Sequence, residues 1–174
     1  MRKILILFVT ILLAACNLPS PAAPVTETPS AGYTQCAWSW ATQSLPELSA
    51  EVQSALEAAG LTGVTATAEA YGENCITGEG VVDHFATMET DFRIRVEVPS
   101  LTDTAALGDL LEQILVVLDT FPPWATPGPQ SGYIGVTFQA GSDELRLWFT
   151  VVDGESARAL GLHGAALLEK LQNP

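Results

Sequence analysis

Apolar residues recur at intervals of three and four along three segments of the chain, a spacing that predicts amphipathic helices. The first segment runs from about Leu45 to Ala59, and the second from about Asp103 to Leu118. The third runs from about Ser156 to Gln172. Each segment carries enough apolar positions to form one buried stripe, so we expect three helices packed against a common core.

The ends of these segments carry helix start and stop signals. Ser44 and Glu47 have the spacing of a capping box at the start of the first helix. Ser100, with Asp103 three residues later, or Thr102 is expected to open the second helix. Gly161 and Gly164 interrupt the third segment, and each glycine costs about 1 kcal/mol relative to alanine in a helix. The third helix is therefore the weakest of the three predictions.

Between the helices, apolar and polar residues alternate in the manner of half-buried strands. The predicted strands are Cys36–Ala41, Val64–Tyr71, Val81–Phe85, Asp91–Val98, Tyr133–Gln139 and Glu144–Val152. The segments Gly72-Glu-Asn74 and Gly141-Ser-Asp143 have the composition of hairpin turns.

The element order is β-α-β-β-β-α-β-β-α, which favours an α+β fold for a single globular domain over residues 33–174. Strict alternation predicts a two-layer sandwich in which helices cover one face of a mainly antiparallel sheet of five to six strands. The segment Cys36–Glu47 is similar in pattern to Asp91–Asp103, each being a strand followed by a helix start. This similarity suggests two split βαβ repeats.

The amino-terminal region has the composition of a secretory signal. Arg2 and Lys3 are the only charged residues before Glu27, and an apolar run follows from Ile4 to Leu13. The run is too short to cross a bilayer as a helix, which needs about 20 apolar residues. We therefore expect export rather than a transmembrane anchor, the alternative being an uncleaved anchor.

The tetrapeptide Leu13-Ala14-Ala15-Cys16 resembles the lipobox of bacterial lipoproteins, and the resemblance covers residues 1–16 only. It implies that a signal peptide of residues 1–15 is removed and that Cys16 carries a diacylglycerol, with fatty acyl chains such as palmitate. Residues 16–32 would then form a proline-rich tether. The resemblance implies a lipid anchor on the extracytoplasmic face of a bacterial membrane, in the cell envelope.

Charge excludes one class of partner. The net charge is −13, and after residue 15 five basic side chains face twenty acidic ones, a formal charge of −15. Nucleic acid is therefore not expected as a partner, since phosphate binding needs a basic surface. Anionic lipid headgroups would also repel the domain, so membrane attachment depends on the lipid.

If Cys16 carries the lipid, two cysteines remain, Cys36 and Cys75. An even number of cysteines in an exported protein favours a disulfide. The alternative is two free thiols. The chain contains no GxSxG, HExxH, Walker or GxGxxG motif, so we predict no catalytic residue, cofactor or metal ligand. His84 follows Asp83, but adjacent strand residues point to opposite faces and are not expected to pair. His163 lies between Gly161 and Gly164, which favours a close approach of the backbone at this point over a metal site.

The polar positions of the predicted strands carry the one distinctive group of side chains. This group combines guanidinium and aromatic groups that suit the binding of a carboxylate, a flat or sugar-like ligand, or a partner protein. Its members are Arg93, Arg95, Arg146, Trp148, Tyr71 and Tyr133, with Gln139 on the same face. The alternative is that the arginines only make cross-strand pairs with Glu69, Glu97 or Glu89.

The long loop from Phe121 to Gly132 is a second candidate, because long loops without secondary structure are often functional. Trp124 is its candidate contact residue; the alternative is that Trp124 folds back over the sheet edge. Together these features predict a membrane-anchored module that binds an envelope protein or a small ligand on an open sheet face. The alternatives are an extracytoplasmic hydrolase and a structural envelope protein.

Overall fold

A computed structural model describes residues 35–174, which form one compact unit. The predicted signal peptide, Cys16 and the predicted tether lie outside the described residues. The elements of the described part are β1 (Ala37–Ser44), α1 (Pro46–Ala58), β2 (Val64–Ile76), β3 (Val82–Glu97), α2 (Thr104–Leu118), a 3-10 turn (Pro123–Ala125), β4 (Gln130–Ala140), β5 (Asp143–Thr150), α3 (Val151–Ala159) and α4 (Gly164–Gln172). The predicted α+β class is confirmed.

Over residues 35–174 the five strands form one sheet in the order β1-β2-β3-β4-β5. Three neighbouring pairs are antiparallel, and β3 pairs with β4 in parallel across the connection made by α2. The two suggested split βαβ repeats are not present. β3 and β4 are direct neighbours with no strand between them, whereas β1 and β2, although joined by α1, are antiparallel.

The strands β2 and β3 are longer than the alternation predicts. The predicted turn at Gly72 is wrong, because β2 continues to Ile76 and the chain reverses only between Thr77 and Val81. A Cβ at Gly72 would lie 2.1 Å from the carbonyl oxygen of Ala86, so this glycine permits close strand approach at a bulge rather than a turn. The predicted strands Val81–Phe85 and Asp91–Val98 consequently merge into β3.

Helix α1 lies against the edge of β2 where β1 no longer pairs with it. The Ala68 N–H donates to the Ser49 hydroxyl at 2.8 Å, and the Ala66 N–H donates to the Gln53 side-chain oxygen at 2.8 Å. The predicted capping box of Ser44 and Glu47 is wrong, since the residue before α1 is Leu45 and makes no side-chain cap. The polar side chains of α1 satisfy the strand edge instead.

The final predicted helix is divided in two. The Thr150 hydroxyl accepts the Asp153 N–H at 3.0 Å, and the Asp153 carboxylate accepts the Thr150 N–H at 3.1 Å. This capping box starts α3 directly at the end of β5, so Val151 and Val152, predicted as strand, are helical. Gly161, with φ of +70°, lies in the break between α3 and α4. In α2 the cap is Asp103 rather than the predicted Ser100 or Thr102, and its carboxylate accepts the Ala106 N–H at 3.1 Å.

One hydrophobic core joins the sheet to the helices. Its buried side chains come from α1, α2, α3 and α4 and from alternate positions of four strands. The largest include Phe138, Phe149, Leu56, Ile94, Leu111, Ile114, Leu167, Leu168 and Leu171. The predicted disulfide between Cys36 and Cys75 is confirmed; with a sequence separation of 39 it contributes about 4 kcal/mol on the chain-entropy model.

The helices α2 and α4 meet at two glycines. A Cβ on Gly108 would lie 1.8 Å from the carbonyl oxygen of Gly164, so only glycine fits at position 108. The close backbone approach predicted near His163 is therefore present. His163 itself lies at the surface within 2.9 Å of the Glu112 carboxylate.

Gly108→Ala tests this packing. We expect the free energy of unfolding to fall by about 3 kcal/mol, because the added methyl group forces α2 and α4 apart. Denaturant unfolding measures the change, and Gln113→Ala, at an exposed site on the same helix, is the control with little expected effect. If Gly108→Ala is as stable as the parent chain, the two helices do not pack as described.

Candidate functional site

The face of the sheet opposite the core carries the polar residues of β2, β3, β4 and β5. Residues paired across neighbouring strands project to the same side, and the pairs Thr67 with Arg93 and Gly135 with Trp148 lie here. We call this surface the open face. It is the face on which the sequence pattern places the arginine and aromatic residues.

A groove of about 510 Å³ crosses the open face, and we call it the arginine groove. Its lining residues are Thr65, Thr67, Arg93, Ile94, Arg95, Gly135, Thr137, Arg146, Leu147 and Trp148. Three of the five basic side chains between residues 35 and 174 line it, and none of its lining residues is acidic. In a strongly acidic domain, this concentration of positive charge is the main feature of the surface.

The three arginines share two carboxylates. Arg93 donates from Nε to Glu69 at 2.9 Å, which is one of the cross-strand pairs considered from the sequence. Arg95 and Arg146 both donate to Glu144, each at 2.8 Å. Hydrogen bonds from Arg95 and Arg146 hold the pKa of Glu144 below its usual range. The group thus has three guanidinium charges for two carboxylates.

These ion pairs leave hydrogen-bonding capacity for a ligand. Among the described residues, Arg93 uses only Nε and Arg95 uses only Nη1 in hydrogen bonds, although a guanidinium carries five N–H groups. The Arg146 side chain is 75% exposed. Exposed ion pairs of this kind contribute little to stability because solvent screens them, so an incoming anion can compete for the arginines.

Trp148 forms the aromatic wall of the groove. It occupies the space above Gly135, where a Cβ would lie 2.7 Å from two atoms of its ring. Its ring stacks on Tyr133 with centroids 5.4 Å apart and an interplanar angle of 6°. The guanidinium carbon of Arg93 lies 4.8 Å from the Trp148 ring centroid, within cation–π range. The missing side chain at position 135 therefore lets Trp148 lie beside the arginines.

A second cavity of about 430 Å³ adjoins the groove, and we call it the carboxylate cleft. Its lining residues are Thr42, Tyr71, Glu89, Asp91, Arg93, Tyr133 and Trp148. Arg93 and Trp148 therefore belong to both cavities. The cleft combines two carboxylates with three aromatic side chains, whereas the groove has arginines and no carboxylate in its lining.

Asp91 is the buried carboxylate of the cleft. It is 7% exposed, and its Oδ1 accepts the backbone N–H of Tyr133 at 2.8 Å, where the β3–β4 register shifts. Burial raises the pKa of Asp91. Burial and the charge of Asp91 together raise the pKa of Glu89. The cleft therefore holds negative charge that the surrounding protein does not fully compensate.

A further aromatic cluster lies on β1, β2 and the start of β3. Trp40 stacks on Tyr71 with centroids 5.3 Å apart, and Trp38 meets His84 edge to face at 5.6 Å. His84 lies 2.8 Å from the Asp83 carboxylate, so the expectation that these neighbours would not pair is wrong. Cys75 lies close to both, but its sulfur is held in the disulfide and is not a thiolate ligand.

Trp124 is separate from both cavities. It lies on the 3-10 turn, is 87% exposed and does not line the groove or the cleft. The alternative that it folds back over the sheet edge is therefore wrong. The structure brings together the other six residues singled out from the sequence: Arg93, Arg95, Arg146, Trp148, Tyr71 and Tyr133.

Sequence reasoning missed several contributors to the open face. Thr65, Thr67 and Thr137 occupy polar strand positions, so their alternation could have placed them in the groove. Glu144 could not be recognised as the shared partner, because that requires the pairing of β4 with β5. Asp91 begins a predicted strand at a polar position, and its burial occurs where the register of β3 and β4 shifts, which the sequence pattern does not indicate.

No family model, curated protein or solved structure matches the chain. Within residues 35–174, no helix is long and apolar enough to span a membrane.

Asp91→Asn tests the electrostatics of the cleft. The pKa of Asp91 is higher in the folded than in the unfolded protein. Ionisation of Asp91 therefore lowers the stability of the fold at pH values above the folded-state pKa, and this loss is absent at pH values below the unfolded-state pKa. We expect the variant to melt at a higher temperature than the parent at about pH 7.5, with no difference near pH 3. The matched control Glu97→Gln, exposed on the same strand, should not show this gain. A lower melting temperature for Asp91→Asn at neutral pH would contradict the account.

Proposed function

We propose that the protein is an extracytoplasmic lipoprotein, anchored to a bacterial membrane through Cys16, whose domain is a binding module. The anchor rests on the lipobox-like Leu13-Ala14-Ala15-Cys16 and on the signal-like residues before it. Two or three acyl chains suffice for stable attachment, because each buried methylene contributes about 0.8 kcal/mol. The acidic domain adds no electrostatic attraction to an anionic membrane.

One observation carries the binding role: three of the five basic side chains between residues 35 and 174 line one exposed groove beside Trp148. Guanidinium groups bind carboxylates and phosphates with paired hydrogen bonds, and an indole offers a flat apolar surface. The ligand or partner group that enters the groove is therefore anionic.

A hydrolase is the second candidate, and one observation favours it. Glu89 and Asp91 lie in the same cleft with raised pKa values, and a raised carboxyl pKa suits a general acid. The described residues contain no additional group that identifies a nucleophile or a substrate. A structural envelope role, the third alternative, predicts no ligand for either cavity.

The binding role is tested by replacing the two arginines that share Glu144. With citrate and inorganic pyrophosphate as probe anions, we expect Arg95→Gln with Arg146→Gln to weaken binding at least tenfold. A charge-assisted hydrogen bond contributes about 1.5–3 kcal/mol, and 1.4 kcal/mol corresponds to tenfold in affinity. Isothermal titration calorimetry at low ionic strength measures the change.

The matched control is Arg158→Gln with Lys170→Gln, which removes the same charge from α3 and α4 rather than from the groove. The control should bind both anions like the parent chain. Equal losses in the two double variants would indicate a general charge effect, and binding of neither anion by the parent would contradict the proposed groove.

The anchor is tested separately by mass spectrometry of the protein extracted from membranes of the producing bacterium. We expect a chain that begins at Cys16 and is heavier than the unmodified polypeptide by its lipid. Cys16→Ser should abolish this modification and leave a chain without lipid. A retained signal, or an unmodified cysteine in the parent protein, would refute the anchor.

A further inference from the structure

Two cavities of opposite charge meet on the open face. The arginine groove carries Arg95 and Arg146, the carboxylate cleft carries Glu89 and Asp91, and Arg93 and Trp148 belong to both. A ligand with only negative charges would meet the carboxylates at one end, and a ligand with only positive charges would meet the arginines at the other. The two cavities together complement a molecule that carries one charge of each sign.

The carboxylate end of this surface has an unfilled acceptor. Asp91 is 7% exposed, and among residues 35–174 only its Oδ1 has a hydrogen-bond partner, the Tyr133 N–H. A buried carboxylate is stabilised by a paired cation; the charge of Arg93 favours ionised Asp91, but no basic side chain of the described residues makes a salt bridge to it. Tyr71, Tyr133 and Trp148 provide aromatic surfaces around the same space, which favour an organic cation.

The distance between the carboxylates of the cleft and the arginines of the groove limits the length of the ligand. Asp91 and Arg95 lie on the same strand four residues apart, which at about 3.3 Å per residue corresponds to roughly 13 Å. An extended peptide of four residues has about the same length. Its middle residues would lie across Trp148, beside Tyr133 and Arg93.

We propose that the open face binds a short, extended peptide with free ends, its amino terminus in the carboxylate cleft and its carboxylate in the arginine groove. This inference rests on the proposed function and names the ligand class of the same site. Both termini are recognised by charge, so specificity depends on the distance between them.

Three tetraalanine peptides test the inference by calorimetry with the full chain in nonionic detergent. One has free ends, one is N-acetylated and one is C-amidated. We expect the free-ended peptide to bind at least tenfold more tightly than either capped peptide. An equal affinity of the free-ended and N-acetylated peptides would overturn the inference, as would an equal affinity of the free-ended and amidated ones.

The variant Glu89→Gln distinguishes binding of the peptide's amino terminus in the carboxylate cleft from binding of its carboxylate in the arginine groove. This variant should lower the affinity for the free-ended peptide, with Asp91 retaining part of the amine binding, while the N-acetylated peptide binds as it does to the parent chain. The matched control Glu97→Gln, on the same strand but outside the cleft, should leave both affinities unchanged. A loss of equal size for both peptides in Glu89→Gln would overturn the inference.

The two proposals can fail separately. If N-acetylated and free-ended peptides bind equally, and both lose affinity in Arg95→Gln with Arg146→Gln, the peptide inference is wrong and the anionic groove stands. If neither the peptides nor citrate and pyrophosphate bind the parent chain, both are wrong.

Discussion

The pairing of β3 with its two neighbours is the constraint on which the open face depends. β3 is antiparallel to β2 and parallel to β4, and this register sets Arg93 beside Thr67 on one side and beside Gly135 on the other. Because side chains alternate along a strand, a shift of one residue would exchange the core and the open face. The same register places Gly135 opposite Trp148, so the ring can lie next to Arg93.

The arrangement of charge on this face is not optimised for stability. Two arginines share Glu144, and Asp91 is buried without a salt bridge among the described residues. Such incomplete pairing costs folding free energy but leaves groups that a ligand can satisfy. The core beneath and the confirmed disulfide provide the stability that offsets this cost. Imperfect electrostatics at one place in a well-packed domain is typical of a binding site.

Local patterns predicted much of the fold, because they depend on neighbours in the sequence. The apolar stripe of α2 and the alternation of β4 and β5 are of this kind, and so is the shared face of Arg93 and Trp148. The wrong predictions concern features that depend on contacts between segments distant in the sequence. The sequence around Gly72 predicts a turn, yet the close approach of Ala86 on the next strand explains why this position lacks a side chain. The parallel pair and the burial of Asp91 likewise depend on where α2 returns the chain, which no local spacing encodes.

The position of the Trp148 ring is the most direct test of the account, and nuclear Overhauser effects measure it. The described register predicts cross-peaks from the indole ring protons to the Hα protons of Gly135 and to the ring of Tyr133. Cross-peaks from this ring to the core methyl groups of Val136 or Leu167, without those to Gly135, would show that the strand faces are exchanged. In that case the arginines and Trp148 would not form one site.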